Sequence, residues 1–189
     1  MSSIVGDISK VFGSNVLALI VGIVNGFLVP RFLGIEEYAL FKTFGLYASY
    51  VGVLHFGFID GIYIKYGGMR REQVPKSQLK AELLFLLVFQ FVMLLAGVSI
   101  ALISNSPILI PVALSILPVN MVTFFKFLYQ ATGSFGQYAK INSLSPVLTL
   151  LATLVIVFFI RGRSAVLFIT SVVIIHYVIL MLLMLGKGR

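Results

Sequence analysis

The chain contains no cysteine and only two histidines, His55 and His176, far apart in the sequence. Disulfides, thiolate metal sites and cysteine nucleophiles are therefore excluded, and a histidine metal cluster is disfavoured. Charged residues make up only 11% of the 189 residues. There is no glycine-rich phosphate loop ending in Gly-Lys-Ser/Thr, no His-Glu-x-x-His pair and no couple of carboxylates within an apolar stretch. Nothing here reads as an enzyme, and no cofactor is implied. Strands that alternate apolar and polar residues, as a membrane barrel needs, are also absent.

What the chain has in abundance is oil. Hydrophobic residues reach 60% and the mean hydropathy is +1.10, more than the core of a water-soluble chain of this length can hide. A membrane-crossing helix needs roughly 20 apolar residues. Six windows qualify, at about 12–33, 37–62, 81–104, 107–130, 138–160 and 164–185. The fold class is all-α, a polytopic transmembrane bundle forming a single domain over residues 1–189, because lipid leaves no backbone group unpaired. The first window is too long for a cleavable leader and lacks a small-residue cleavage site, so it stays as the first span.

The net charge of +8 is distributed by loop, which argues against nucleic acid as a partner. Lys10, Lys65, Arg70, Arg71, Lys76, Lys80, Lys126, Lys140, Lys187 and Arg189 fall on one side of the six windows. Arg31, Lys42, Arg161 and Arg163 fall on the other. By the positive-inside rule both termini are expected in the cytoplasm. The longest soluble stretch, Tyr66 to Lys80, is then an inner loop that either meets anionic lipid or touches a substrate headgroup.

Polar side chains inside apolar windows normally face a partner helix or a wet cavity. On a continuous second helix Lys42, Ser49 and Asp60 would share a face within about 20°, with Lys42 and Asp60 about 27 Å apart along the axis. They either line a cavity or reach the two headgroup layers. His55 points elsewhere on that wheel and reads as a packing or interface histidine. In the fourth window Pro118 predicts a kink, and Asn120, Thr123, Lys126 and Gln130 share an arc below it, suited to a transport path or to interhelical hydrogen bonds. Asn142, Ser145, Thr149 and Thr153 form a stripe that reads as a packing seam. Gly22 and Gly26 form a small-xxx-small pair, and Asn15 and Asn25 should face protein.

The stretch from Gly13 to Gly68, and most of all Pro30-Arg31-Phe32-Leu33-Gly34-Ile35-Glu36-Glu37-Tyr38, resembles the opening two spans of the O-antigen and polysaccharide flippases of the multidrug/oligosaccharidyl-lipid/polysaccharide exporter superfamily. Leu128 to Asn142, LYQATGSFGQYAKIN, is similar to that family's loop between spans four and five. Where family members often carry an acid-glycine pair, this chain has Phe56-Gly57, with Asp60 three residues on.

The resemblance implies one six-helix lobe of a two-lobe MATE-like transporter in the bacterial plasma membrane, whether a fragment or a half-transporter that pairs with a second lobe or with itself. It implies lipid neighbours and a polyprenyl-diphosphate-linked oligosaccharide as cargo, moved by alternating access. It assigns the headgroup to Arg31, Lys42, Asn120 and Lys126, and ion coupling to Asp60. The competing readings are a drug or cation exporter lobe and a non-transporting membrane scaffold.

Overall fold

A computed structural model describes residues 2–186, with side chains described from Val5 onward. Lys187 and Arg189, counted above among the cytoplasmic cations, lie outside the described residues. Seven α-helices occur among the described residues: α1 (Ser2–Phe32), α2 (Ile35–Val51), α3 (Phe58–Tyr66), α4 (Lys76–Ile103), α5 (Leu109–Ala131), α6 (Phe135–Val155) and α7 (Ala165–Leu185). A π turn, Ile156–Ile160, prolongs α6, and no strand occurs among the described residues. Five of these helices are long and apolar enough to cross a membrane: α1, α4, α5, α6 with its π turn, and α7.

The second window departs from expectation. It is two helices of 17 and 9 residues, joined by a 3-10 turn at Gly52–His55 and by two left-handed residues, Phe56 and Gly57. The expected alignment of Lys42, Ser49 and Asp60 needs an unbroken helix, so only Lys42 and Ser49, both on α2, keep it. Pro118, by contrast, does not divide α5, which runs through it as one helix.

Packing is organised around α5, the most enclosed of the long helices. Phe44 of α2 packs near Val112, Val51 packs on Ala113 and Ile116, and Ile59, Ile62 and Tyr66 of α3 pack with Met121, Phe124 and Phe125. Both halves of the broken element therefore descend along α5 in its own direction. Helix α4 runs the opposite way, with Leu86 beside the α3 cluster and Met93 and Val98 beside Ile116. Helix α1 lies along α6: Val29 and Leu33 pack with Ile156 and Val157 at one end, and Asn142 donates to Ser14 Oγ and Asn15 Oδ1 near the other. Asn142 of the predicted stripe is thus part of the α1–α6 seam. Turns 33–34, 104–108 and 161–164 collect at one end of the bundle, and 67–75 and 132–134 at the other.

The close helix approach is not at the predicted glycines. A Cβ on Gly22 or Gly26 would meet nothing within 4 Å, whereas one on Gly97 would sit 3.0 Å from Ala113 Cβ and 3.1 Å from Ile116 Cδ1. Gly97 is what lets α4 and α5 approach. Gly97→Leu is expected to lower stability by about 1–2 kcal/mol through overpacking, read as a lower midpoint in a detergent unfolding titration, while Gly26→Leu leaves it unchanged.

At the end carrying turn 33–34, the Glu37 carboxylate accepts from the Ala165 backbone N–H at the start of α7. Negative charge there satisfies an otherwise free donor and the positive end of the helix dipole. Part of the Glu-Glu-Tyr turn is therefore explained by packing, since Tyr38 also lies against the Val29–Phe168 cluster.

Candidate functional site

The break between α2 and α3 interrupts helix geometry inside an apolar window, and polar groups gather around it. Phe56 (φ 49°) and Gly57 (φ 78°) are consecutive left-handed residues. Glycine adopts that conformation freely; for phenylalanine it costs about 1–2 kcal/mol. Such a turn ends the i to i−4 hydrogen bonding and frees carbonyls that lipid cannot satisfy.

Two fully buried amides donate to carbonyls at the break. Asn120 Nδ2 on α5 donates to Val51 O (3.1 Å), and Gln90 Nε2 on α4 donates to Leu54 O (3.2 Å). The two side chains are linked, Asn120 Nδ2 donating to Gln90 Oε1 at 2.9 Å, and Ile116 O is a further acceptor at 3.0 Å. Both residues have 0% exposure. Three acceptors thus compete for the two hydrogens of one amide, while Asn120 Oδ1 is buried without a partner.

Below the break stands an ionisable pair. The Gly57 N–H donates to His55 Nδ1 (3.2 Å), and Asp60 Oδ2, in the first turn of α3, lies 3.7 Å from that same nitrogen. While Nδ1 accepts from Gly57 it carries no proton, so the ring's hydrogen is on Nε2. The Asp60 side chain is 59% exposed and the His55 side chain 12%, so the carboxylate is open and the imidazole largely enclosed.

The predicted cargo-binding residues do not converge. Arg31 is exposed in the last turn of α1. Lys42 is exposed on α2, its Nζ 5.4 Å from the centroid of the Tyr38 ring. Asn120 is spent on the break. Lys126 is half-buried, 5.7 Å from the Tyr138 ring centroid, with no ion pair among the described residues. Thr123 turns its hydroxyl back to Val119 O.

Sequence reasoning passed over His55 as packing and did not single out Gln90 or Glu82. Gln90 had a signal, being a lone amide in an apolar run from Leu83 to Val98. His55 had none, because its neighbours depend on the break.

No family model, no curated protein and no solved structure matches this chain.

Proposed function

We propose that this chain is a membrane-embedded transporter lobe of the flippase type, moving a lipid-linked oligosaccharide across the bacterial plasma membrane by alternating access. The observation that carries the transport reading is the discontinuous helix α2–α3, where the Leu54 and Val51 carbonyls accept from buried Gln90 and Asn120. Broken helices inside a membrane are tolerated only where protein or water satisfies the backbone, and they recur where transporters bind ions and substrates. A passive scaffold has no use for such a costly break.

In this reading α2 and α3 together make one crossing, giving six with the five long helices, and both termini lie in the cytoplasm. The His55–Asp60 pair takes up the coupling proton. The diphosphate of the cargo meets cations, with Lys42 and Lys126 the leading candidates because charge-assisted contacts to phosphate are strong. The cargo itself is supported by the resemblance of the Pro30–Tyr38 turn. The exposed Asp60 favours the second reading, a cation exporter.

Topology and transport are tested together. The chain has no native cysteine, so Glu72→Cys should react with an impermeant maleimide only from the cytoplasmic side and Ser106→Cys only from the other; the opposite pattern overturns the orientation. In vesicles, a labelled polyprenyl-diphosphate oligosaccharide should cross faster than in empty ones. Lys42→Ala and Lys126→Ala should each slow it about tenfold, the value of one charge-assisted hydrogen bond, with insertion unchanged. Wild-type rates in both variants remove the cationic path, and transport of an organic cation instead selects the exporter.

A further inference from the structure

A groove of about 420 Å³ lies at the bundle end that carries turn 67–75, between the start of α4, the end of α5 and the short turn at Arg71–Gln73. Arg71, Lys76 and Lys80 line it together with an apolar floor that includes Leu79, Leu83 and Leu128. None of the three cations is in an ion pair among the described residues. The one acid on α4, Glu82, is turned to Lys65 and Tyr66 instead, and Glu72, in the same turn as Arg71, is exposed and does not line the groove.

Arg71 is held in place before any ligand arrives. Its guanidinium stacks 4.7 Å from the Tyr129 ring centroid on α5 and donates to Gln137 Oε1 on α6. A fixed guanidinium flanked by two flexible ammonium groups suits a phosphate, presenting planar donors plus mobile charge. The apolar floor suits hydrocarbon. It continues along α4 into the exposed Leu84, Val88 and Phe91, so a chain leaving the groove would stay on an apolar surface.

We propose that this groove is a specific site for one anionic phospholipid, its phosphate on Arg71, Lys76 and Lys80 and its acyl chain along the Leu79–Leu83 side of α4. The inference needs only that this end of the bundle meets a bilayer; it stands whether or not the chain transports a lipid-linked sugar.

The test is native mass spectrometry of the purified full chain, released from detergent containing equal amounts of phosphatidylglycerol and phosphatidylcholine. One phosphatidylglycerol should be retained in preference to phosphatidylcholine. Each cation contributes about fivefold near an anionic lipid, so Lys76→Gln with Lys80→Gln should weaken retention by more than tenfold, and adding Arg71→Gln by on the order of a hundredfold. Lys10→Gln with Arg161→Gln and Arg163→Gln, the same change in charge elsewhere, should have no effect. Because Lys76 and Lys80 are exposed, the double variant keeps the test valid if the triple variant misfolds. Equal retention of the two lipids, or unchanged retention in the double variant, overturns the proposal. Displacement of the lipid by millimolar inorganic phosphate overturns it in favour of a free-anion site. Loss of lipid retention with transport intact leaves the flippase reading untouched.

Discussion

Asn120→Leu is expected to lower the stability of the bundle by about 1–3 kcal/mol, because it strands the buried acceptor Gln90 Oε1 and removes a donor from Val51 O. Hydrogen bonds between membrane helices average only about 0.6 kcal/mol, since separated helices find other partners. That discount is small for Gln90 Oε1, which belongs to a fully buried side chain, whereas Val51 O also opens the 3-10 turn at Gly52–His55. Gln90→Leu should cost less, stranding chiefly Leu54 O. The double variant should fall short of the sum by about 0.5–3 kcal/mol, the signature of residues in one network. Unfolding titrations in sodium dodecyl sulfate measure all three. Additive effects, or a stable Asn120→Leu chain, would mean that the break is held by packing alone.

Glu82→Leu is the second large effect, expected at about 1–3 kcal/mol. Glu82 Oε2 accepts from Tyr66 Oη at 2.7 Å while Oε1 pairs with Lys65, tying the last turn of α3 to α4. Lys65 is 41% exposed and its ion pair contributes little. Tyr66 is 1% exposed, so the cost comes from a buried hydroxyl left without its acceptor. Tyr66→Phe, which removes the donor as well, should be milder.

The same site sets a pH dependence. Burial first, then the Glu82 carboxylate, pushes the Tyr66 phenol, which lies beyond the apolar part of α3, from 10.0 up to about 12. An acid group raised on folding contributes stability that is complete below its unfolded value and disappears as pH climbs through its folded value. Stability should therefore fall between pH 10 and about 12 in the wild type, and fall less over that window in Tyr66→Phe. Parallel curves for the two chains would remove Tyr66 as the cause.

Both predictions concern the short helix α3. Nine residues cannot hold a helix through their own hydrogen bonds alone, so it depends on α4 and α5: Gln90 and Asn120 at the turn that precedes it, Glu82 at its end, and Ile59, Ile62 and Tyr66 packed in the main core between.

The helical class and five of the six apolar windows were legible because they depend on local quantities. Hydropathy summed over about 20 residues, and the need to pair backbone groups within one segment, require no knowledge of neighbours. The polar seam at Asn142 was legible for a similar reason, since three- and four-residue spacings put side chains on one face of any helix. Gly22 and Gly26 misled because a small-residue pair permits close packing without supplying a partner, and the partner helix met Gly97 instead.

The break itself depended on tertiary structure. Gly57 allows a left-handed turn beside Phe56, but a continuous helix through them would also have been acceptable to the local chain at modest cost. The broken form is met from elsewhere in the fold by Gln90, 36 positions from Leu54, and Asn120, 69 positions from Val51, whose buried amides donate to the carbonyls there. The sequence by itself determined how much of the chain must be helical and how oily each helix is, because those properties are sums over neighbours in the chain. Only the tertiary structure decided where a helix stops short and which ionisable side chains meet there, because an unpaired carbonyl is tolerable only when a donor from elsewhere in the fold arrives to meet it.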